Sequence, residues 1–280
     1  EILRCLVGSE MCIRDRKLAA TNGKLNVHCG FWGGLVPENA DNLEPLLESG
    51  VLGVKAFLTH SGIDEFPNVT ENDLRKAMPA IAKYGLPLLV HAELSKPHPG
   101  IEHLKNNPTS YQAYLNSRPK WYEGDAIEML IRLCEETGCR THIVHLSSAN
   151  SIQKIATAKQ NGLPITVETC PHYLVFNAED ISGEPGATAF KCAPPIRERE
   201  NNEQLWQAVK DGTIDFIATD HSPSTPDLKE LETGNFEKAW GGIASLQFSL
   251  SAFWTEAEKR GFSIADLSKL MSANVAGFCG

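Results

Sequence analysis

Short apolar runs alternate along the chain with longer stretches carrying apolar residues at three- and four-residue spacing, and Gly, Pro or polar clusters separate the two. From Lys24 onward this rhythm predicts strands at residues 25–31, 51–58, 87–93, 141–147, 164–169 and 216–220. Between them it predicts helices at residues 43–49, 71–84, 124–137, 148–161, 203–211 and 243–260. Thr70 ahead of Glu71 and Asp73 has the chemistry of an N-cap, and Gly85 before Pro87 ends that helix and starts the next strand. Most of the strands are apolar throughout and end in a polar residue, as parallel strands covered on both faces do. A doubly wound sheet and a (β/α)8 barrel both satisfy that pattern. No G-x-G-x-x-G follows the first strand, and reactive side chains sit at the C-terminal ends of several different strands, which favours the barrel. Six strands fall short of eight, so the predicted fold class is α/β, an incomplete (β/α)8 TIM-like barrel.

Composition narrows the partners. The chain has 280 residues, 42% of them hydrophobic, which suffices for one large core. Its formal net charge is -9, and no basic stripe is present to neutralise phosphates or an anionic bilayer, so nucleic acid and membrane are excluded as expected partners. No apolar stretch approaches the roughly 20 residues of a spanning helix, and no signal-peptide core is evident, so a cytoplasmic protein is expected. The 8 Cys contain no C-x-x-C pair and read as free thiols. Residues 1–16 show neither helical nor strand periodicity and are expected to be a non-native run. Residues 17–280 are expected to form a single partial barrel domain.

Four strand ends carry groups able to bind metals or move protons: Lys55 in GVKAF, His91 in LLVHAE, His145 in HIVHLSS and Asp220 in IATDHSP. In a parallel barrel such residues converge on one mouth. A lysine inside an apolar strand has a depressed pKa or loses its charge, and a neutral amine can take up CO2. The resulting carbamate could bridge two cations about 3.5 to 4 Å apart. Against this stands a lysine that snorkels to solvent, which the company of His91, His145 and Asp220 disfavours. His142 lies three positions before His145, so strand alternation would put the two on opposite faces, and His145, nearer the strand end, is the expected ligand. Asp220 could cap a turn, but at the end of an apolar strand it is a candidate ligand and general base. Trp32, Phe57, Phe66 and Trp240 are expected to pack, and Cys170 and Cys192, without an identifiable base, to be structural.

These residues and their neighbours resemble the allantoinases, in the cyclic amidohydrolase branch of the metal-dependent amidohydrolase superfamily. The strings that carry the resemblance are GFWGGLVPEN at 30–39, GVKAFLTHSGIDEFPNV at 53–69, VHAE at 90–93, VHLSSAN at 144–150, TCPHYL at 169–174, KCAPPIR at 191–197, TDHSP at 219–223 and AWGGIASLQ at 239–247. The resemblance implies a distorted barrel with a binuclear metal centre. Lys55 would be the carbamylated bridging ligand, His91 and His145 would bind one metal, and Asp220 would bind the other. Both cations would act as Lewis acids on a water that attacks a ring carbonyl, with Asp220 passing the proton to the leaving amide nitrogen. Ala193 would hold the substrate ring through main-chain N–H and C=O groups. Imidazole, carboxylate and carbamate suit Zn2+, while Mn2+, Co2+ or Fe2+ could also serve.

Two features depart from that family. Its members carry a His-x-His pair completing the first metal site, and none occurs in this chain. The chain is therefore expected to be a fragment covering roughly barrel strands three to eight, to bind at most one metal well and to be inactive by itself. The dihydropyrimidinase pattern places a tyrosine five residues beyond the bridging lysine, where this chain has His60, which could polarise the carbonyl or line the lid. The leading expectation is an enzyme opening the hydantoin ring of allantoin, a small cyclic ureide, to allantoate. A dihydropyrimidinase or hydantoinase activity, and a non-catalytic scaffold that has lost its metals, are the alternatives. Relatives of this type are commonly homotetramers.

Overall fold

A computed structural model describes residues 17–280, and the run at 1–16 lies outside the described residues. The chain divides into two compact units. One comprises residues 17–94, Asp125–Val144 and Lys154–Thr166, and the other Ser95–Gly124, His145–Gln153 and Val167–Gly280. Among the described residues there are six strands, the number the pattern predicts.

The first unit is built on β1 (Gly33–Gly34), β2 (Val54–Phe57), β3 (Leu88–His91) and β4 (Thr141–Ile143), hydrogen-bonded in chain order. Consecutive parallel pairing is what a chain of βα units produces. The register sets Phe57 opposite His91, Lys55 opposite Leu89, and Leu89 opposite His142. Since side chains two apart share a face, Lys55, Phe57, Leu89, His91 and His142 all lie on one side of this sheet. All four residues of β3 are buried, which is why its sequence is apolar without alternation. At the entry to β2, a side chain on Gly53 would come within 2.5 Å of the Pro87 carbonyl oxygen, so glycine permits the close approach of the two strand starts.

The helix α1 (Glu71–Lys83) shows why sequence spacing is informative. Thr70 and Asp73 form a reciprocal cap, with Asp73 N–H donating to Thr70 Oγ1 at 3.3 Å and Thr70 N–H donating to Asp73 Oδ2 at 2.8 Å. Leu74, Ala77, Met78 and Ile81 form the buried stripe, and Gly85, with φ of +67°, ends the helix.

The first strand falls elsewhere than expected. Residues 25–31 are not a strand, and Leu25 and Val27 are exposed. The pairing begins at Gly33, where the chain passes so close to Leu46 that a side chain there would sit 2.8 Å from its Cδ2. Steric room, not strand propensity, decides the location.

In the second unit, β5 (Ile165–Thr169), whose last three residues belong here, pairs with β6 (Phe216–Ile217). Two helices within the polar stretch before residue 122, Pro99–Asn106 and Tyr111–Ser117, are additional to those the pattern predicts. The longer elements are α2 (Lys120–Thr137, of which residues 120–124 lie in this unit), α3 (Arg199–Lys210) and α4 (Ser249–Lys259). No helix among the described residues is long and apolar enough to cross a membrane.

Candidate functional site

The first unit holds Lys55, His60 and His91. Lys55 is half-buried in β2, its Nζ 5.2 Å from the centre of the Phe57 ring. His91 is stacked on the same ring at 5.1 Å, so one aromatic plane lies beside both the amine and the imidazole on the same face of the sheet. Phe66 closes against the edge of Phe57 at 5.2 Å, which makes both rings packing residues as expected. His91 is buried, and its Nε2–H donates to Glu93 Oε2 at 2.8 Å, with Glu93 fully buried. A ligating histidine characteristically gives its second ring N–H to a carboxylate, which fixes the tautomer and leaves the other nitrogen for the metal. Glu93 thus fixes the His91 ring through Nε2, a contact the sequence reading did not weigh although Glu93 stands two residues on. His60 lies on the exposed loop after β2, where its Nδ1 accepts the Gly62 N–H at 3.1 Å and its Nε2 faces Asp64 at 3.4 Å.

His142 corrects one step of the sequence argument. It shares the face of His91 rather than opposing it, is fully buried, and its Nδ1 is 2.7 Å from Thr166 Oγ1, a satisfied packing histidine. The alternation argument fails because β4 ends at Ile143 and His145 leaves strand geometry altogether.

The second unit holds His145, Ala193 and Asp220. Among the described residues three non-glycine residues have positive φ, namely His145, Asp220 and Glu230, and the first two, both at +42°, are predicted ligands. For residues with a Cβ this conformation costs roughly 1–2 kcal/mol, and it persists only where the surroundings over-determine it. Around Asp220 that support comes from the following turn: Ser245 Oγ donates to Thr219 O at 2.7 Å, and His221 Nδ1 accepts the N–H groups of Ser245 and Leu246, each at 3.1 Å. Asp220 itself is exposed and His145 buried.

The segment from Lys191 to Arg197 is tethered by its carbonyls. Lys229 Nζ donates to Lys191 O at 2.8 Å, Tyr114 OH to Cys192 O at 2.6 Å, Tyr173 OH to Pro194 O at 2.7 Å, Ser147 Oγ to Pro195 O, and Tyr111 OH to Ile196 O at 2.8 Å. Burial holds the Tyr111 and Tyr173 phenols well above their ordinary pKa, so both stay donors. Ala193 sits in the middle of this run, and among the described residues its main-chain groups meet no protein partner. That leaves its N–H and C=O available to a ligand. Burial also pushes the Cys192 thiol up to about 12, consistent with a structural thiol.

Burial and the nearby Lys229 lower the pKa of His172 to about 3 from 6.5, and among the described residues neither ring nitrogen has a hydrogen-bond partner. The unfolded chain therefore binds more protons than the folded one between those values. This contribution to stability is complete above pH 6.5 and is lost as the pH falls toward 3. We expect the thermal midpoint of the protein to fall across that window, and the fall to be shallower in His172→Gln. Parallel pH curves for the two proteins would refute this.

Among the described residues no group of three or more His, Cys, Asp or Glu forms a metal cluster. The donor types of Lys55, His91, His145 and Asp220 nevertheless fit a divalent ion of the Zn2+ kind, and the Glu93 contact supports His91 as such a donor.

The amidohydrolase family model matches residues 13–280. An allantoinase named as mitochondrial from Aquarana catesbeiana is 49% identical over 266 residues, 94% of this chain and 54% of the relative. An allantoinase from Streptomyces avermitilis is 48% identical over 257 residues, 92% of this chain and 56% of the relative. The chain spans about half the length of the curated relatives it matches. Among solved structures, the L-hydantoinase (dihydropyrimidinase) of Arthrobacter aurescens superposes with a TM-score of 0.87 at 28% identity, covering 97% of this chain and 60% of that one.

Proposed function

The chain belongs to the amidohydrolase family, and from that premise we propose that it carries part of the catalytic centre of an allantoinase, which hydrolyses a ring amide of allantoin to give allantoate. The observation that carries this reading is the left-handed backbone shared by His145 and Asp220, since strain at two strand-end polar residues marks a functional site. Identity near one half to allantoinases supports the substrate.

In this reading Lys55, as a carbamate formed with CO2, His91, His145 and Asp220 are ligands of two divalent ions, Zn2+ by donor chemistry. When bound, such ions polarise a carbonyl and lower the pKa of water. Asp220 accepts the proton of the attacking water and delivers it to the departing ring nitrogen. The Ala193 N–H and C=O fix the plane of the ring, and Glu93 holds the His91 tautomer. His60 is a substrate-side residue on the loop after β2. The working protein is a cytoplasmic homotetramer acting on small cyclic ureides.

The likeness to a solved hydantoinase favours a second reading, hydrolysis of a related cyclic amide. Assaying the full-length protein with allantoin, dihydrouracil and dihydroorotate, with metal analysis on the same sample, separates the two. We expect kcat/KM for allantoin to exceed the others by at least about tenfold, a difference of about 1.4 kcal/mol in transition-state binding. Faster turnover of dihydrouracil would overturn the assignment.

A further inference from the structure

We infer that Glu123 is a positioning residue, whose carboxylate holds the turn after His145 so that the imidazole is presented from its left-handed backbone. The inference rests on the proposed role of His145 as a metal ligand. Glu123 lies in the first turn of α2 and is 1% exposed. Its Oε1 accepts the N–H groups of both Ser147 and Ser148, at 2.9 and 3.0 Å, and its Oε2 accepts from the Arg197 guanidinium at 2.8 Å. Arg197, also buried, gives its other terminal nitrogen to Arg118 O at 2.7 Å.

The rest of the turn is held in the same manner. The Leu146 N–H donates to Glu168 O at 2.8 Å, while its carbonyl accepts from Thr169 Oγ1 at 2.7 Å. Asn201 accepts the Ala149 N–H at 2.9 Å and donates to Ser147 O at 2.8 Å. Of the four N–H groups from Leu146 to Ala149, three therefore end on side chains, and two of those share one charged oxygen. Charge-assisted bonds are the strong ones, and they fall on the two peptides nearest the strained residue for which no regular ladder is available. Ser147 Oγ and Arg197 also connect this turn to the run that contains Ala193, so one ion pair sets the geometry of a ligand side chain and of a recognition peptide.

The test uses Co2+ as the probe on the purified full-length protein, read by visible absorption, with the ring 15N resonances of His145 identified by their loss in His145→Ala. The double variant E123A/R197A leaves neither charge buried alone. It is expected to fold, to bind Co2+ at least tenfold more weakly than the parent and to show displaced His145 ring signals. Glu123→Gln keeps an acceptor oxygen and is expected to fall between the two. A folded double variant with a lower thermal midpoint but unaltered Co2+ affinity and His145 signals would make the pair purely structural and overturn the inference. Should the double variant not fold, the same two readouts on Glu123→Gln decide. If His145→Ala binds Co2+ as the parent does, the ligand assignment is what fails, and the ring signals alone then judge the role of Glu123.

Discussion

Replacing Asp220 by asparagine in the metal-loaded, full-length protein is expected, on the proposed function, to lower kcat on allantoin by about 10²–10⁴-fold, with a much smaller change in KM. The substitution is close to isosteric, and asparagine is among the few residues that tolerate the left-handed region occupied at φ of +42°. The backbone and the braced turn from Thr219 to Leu246 therefore survive, and the loss isolates the carboxylate's charge and its capacity to take a proton. Steady-state kinetics with metal content measured on the same preparation separates a missing base from a missing ion. Parental kcat in the Asp220→Asn enzyme would remove Asp220 from the chemistry.

Truncating Arg197 to alanine is expected to destabilise the chain by about 3–5 kcal/mol, because it removes the guanidinium that Glu123 Oε2 accepts from and breaks a buried ion pair. Both side chains of the pair are about 2% exposed, so water cannot take over the missing partner. The single Glu123→Ala change has a cost of the same order, and the double variant costs less than the sum of the singles, since neither charge then remains buried alone. Urea unfolding followed by tryptophan fluorescence measures all three. A loss below about 1 kcal/mol for Arg197→Ala would mean that the pair behaves like an exposed one.

Much of the fold is legible in the sequence because its signals are local. β2, β3 and β5 all fall within the runs the pattern predicts, β3 being apolar up to its terminal His91, and the Thr70 to Asp73 cap is written in four consecutive positions. The first strand is misplaced by the pattern because hydrophobic content at residues 25–31 does not mean burial there, whereas Gly33, a poor strand former, fits beside Leu46. Of the candidate site, residue types at strand ends are readable, while the preference for His145 over His142 rests on an alternation that β4 does not carry past Ile143. The alternation argument for that preference does not hold, because alternation lasts only as long as the strand. Glu93 could have been found from its place two residues after His91 on the same strand end. Glu123 could not, since its partners Ser147, Ser148 and Arg197 are distant in sequence and nothing in a helical first turn announces them.

The run from Lys191 to Arg197 is fastened at five carbonyls by donors from several separate segments, with the Ala193 peptide suspended between them. An arriving molecule would meet a surface whose freedom was already surrendered when the chain folded, so little ordering is left to oppose association. If the Ala193 peptide holds a ligand as proposed, grip on that ligand and resistance to unfolding would draw on the same five fastenings.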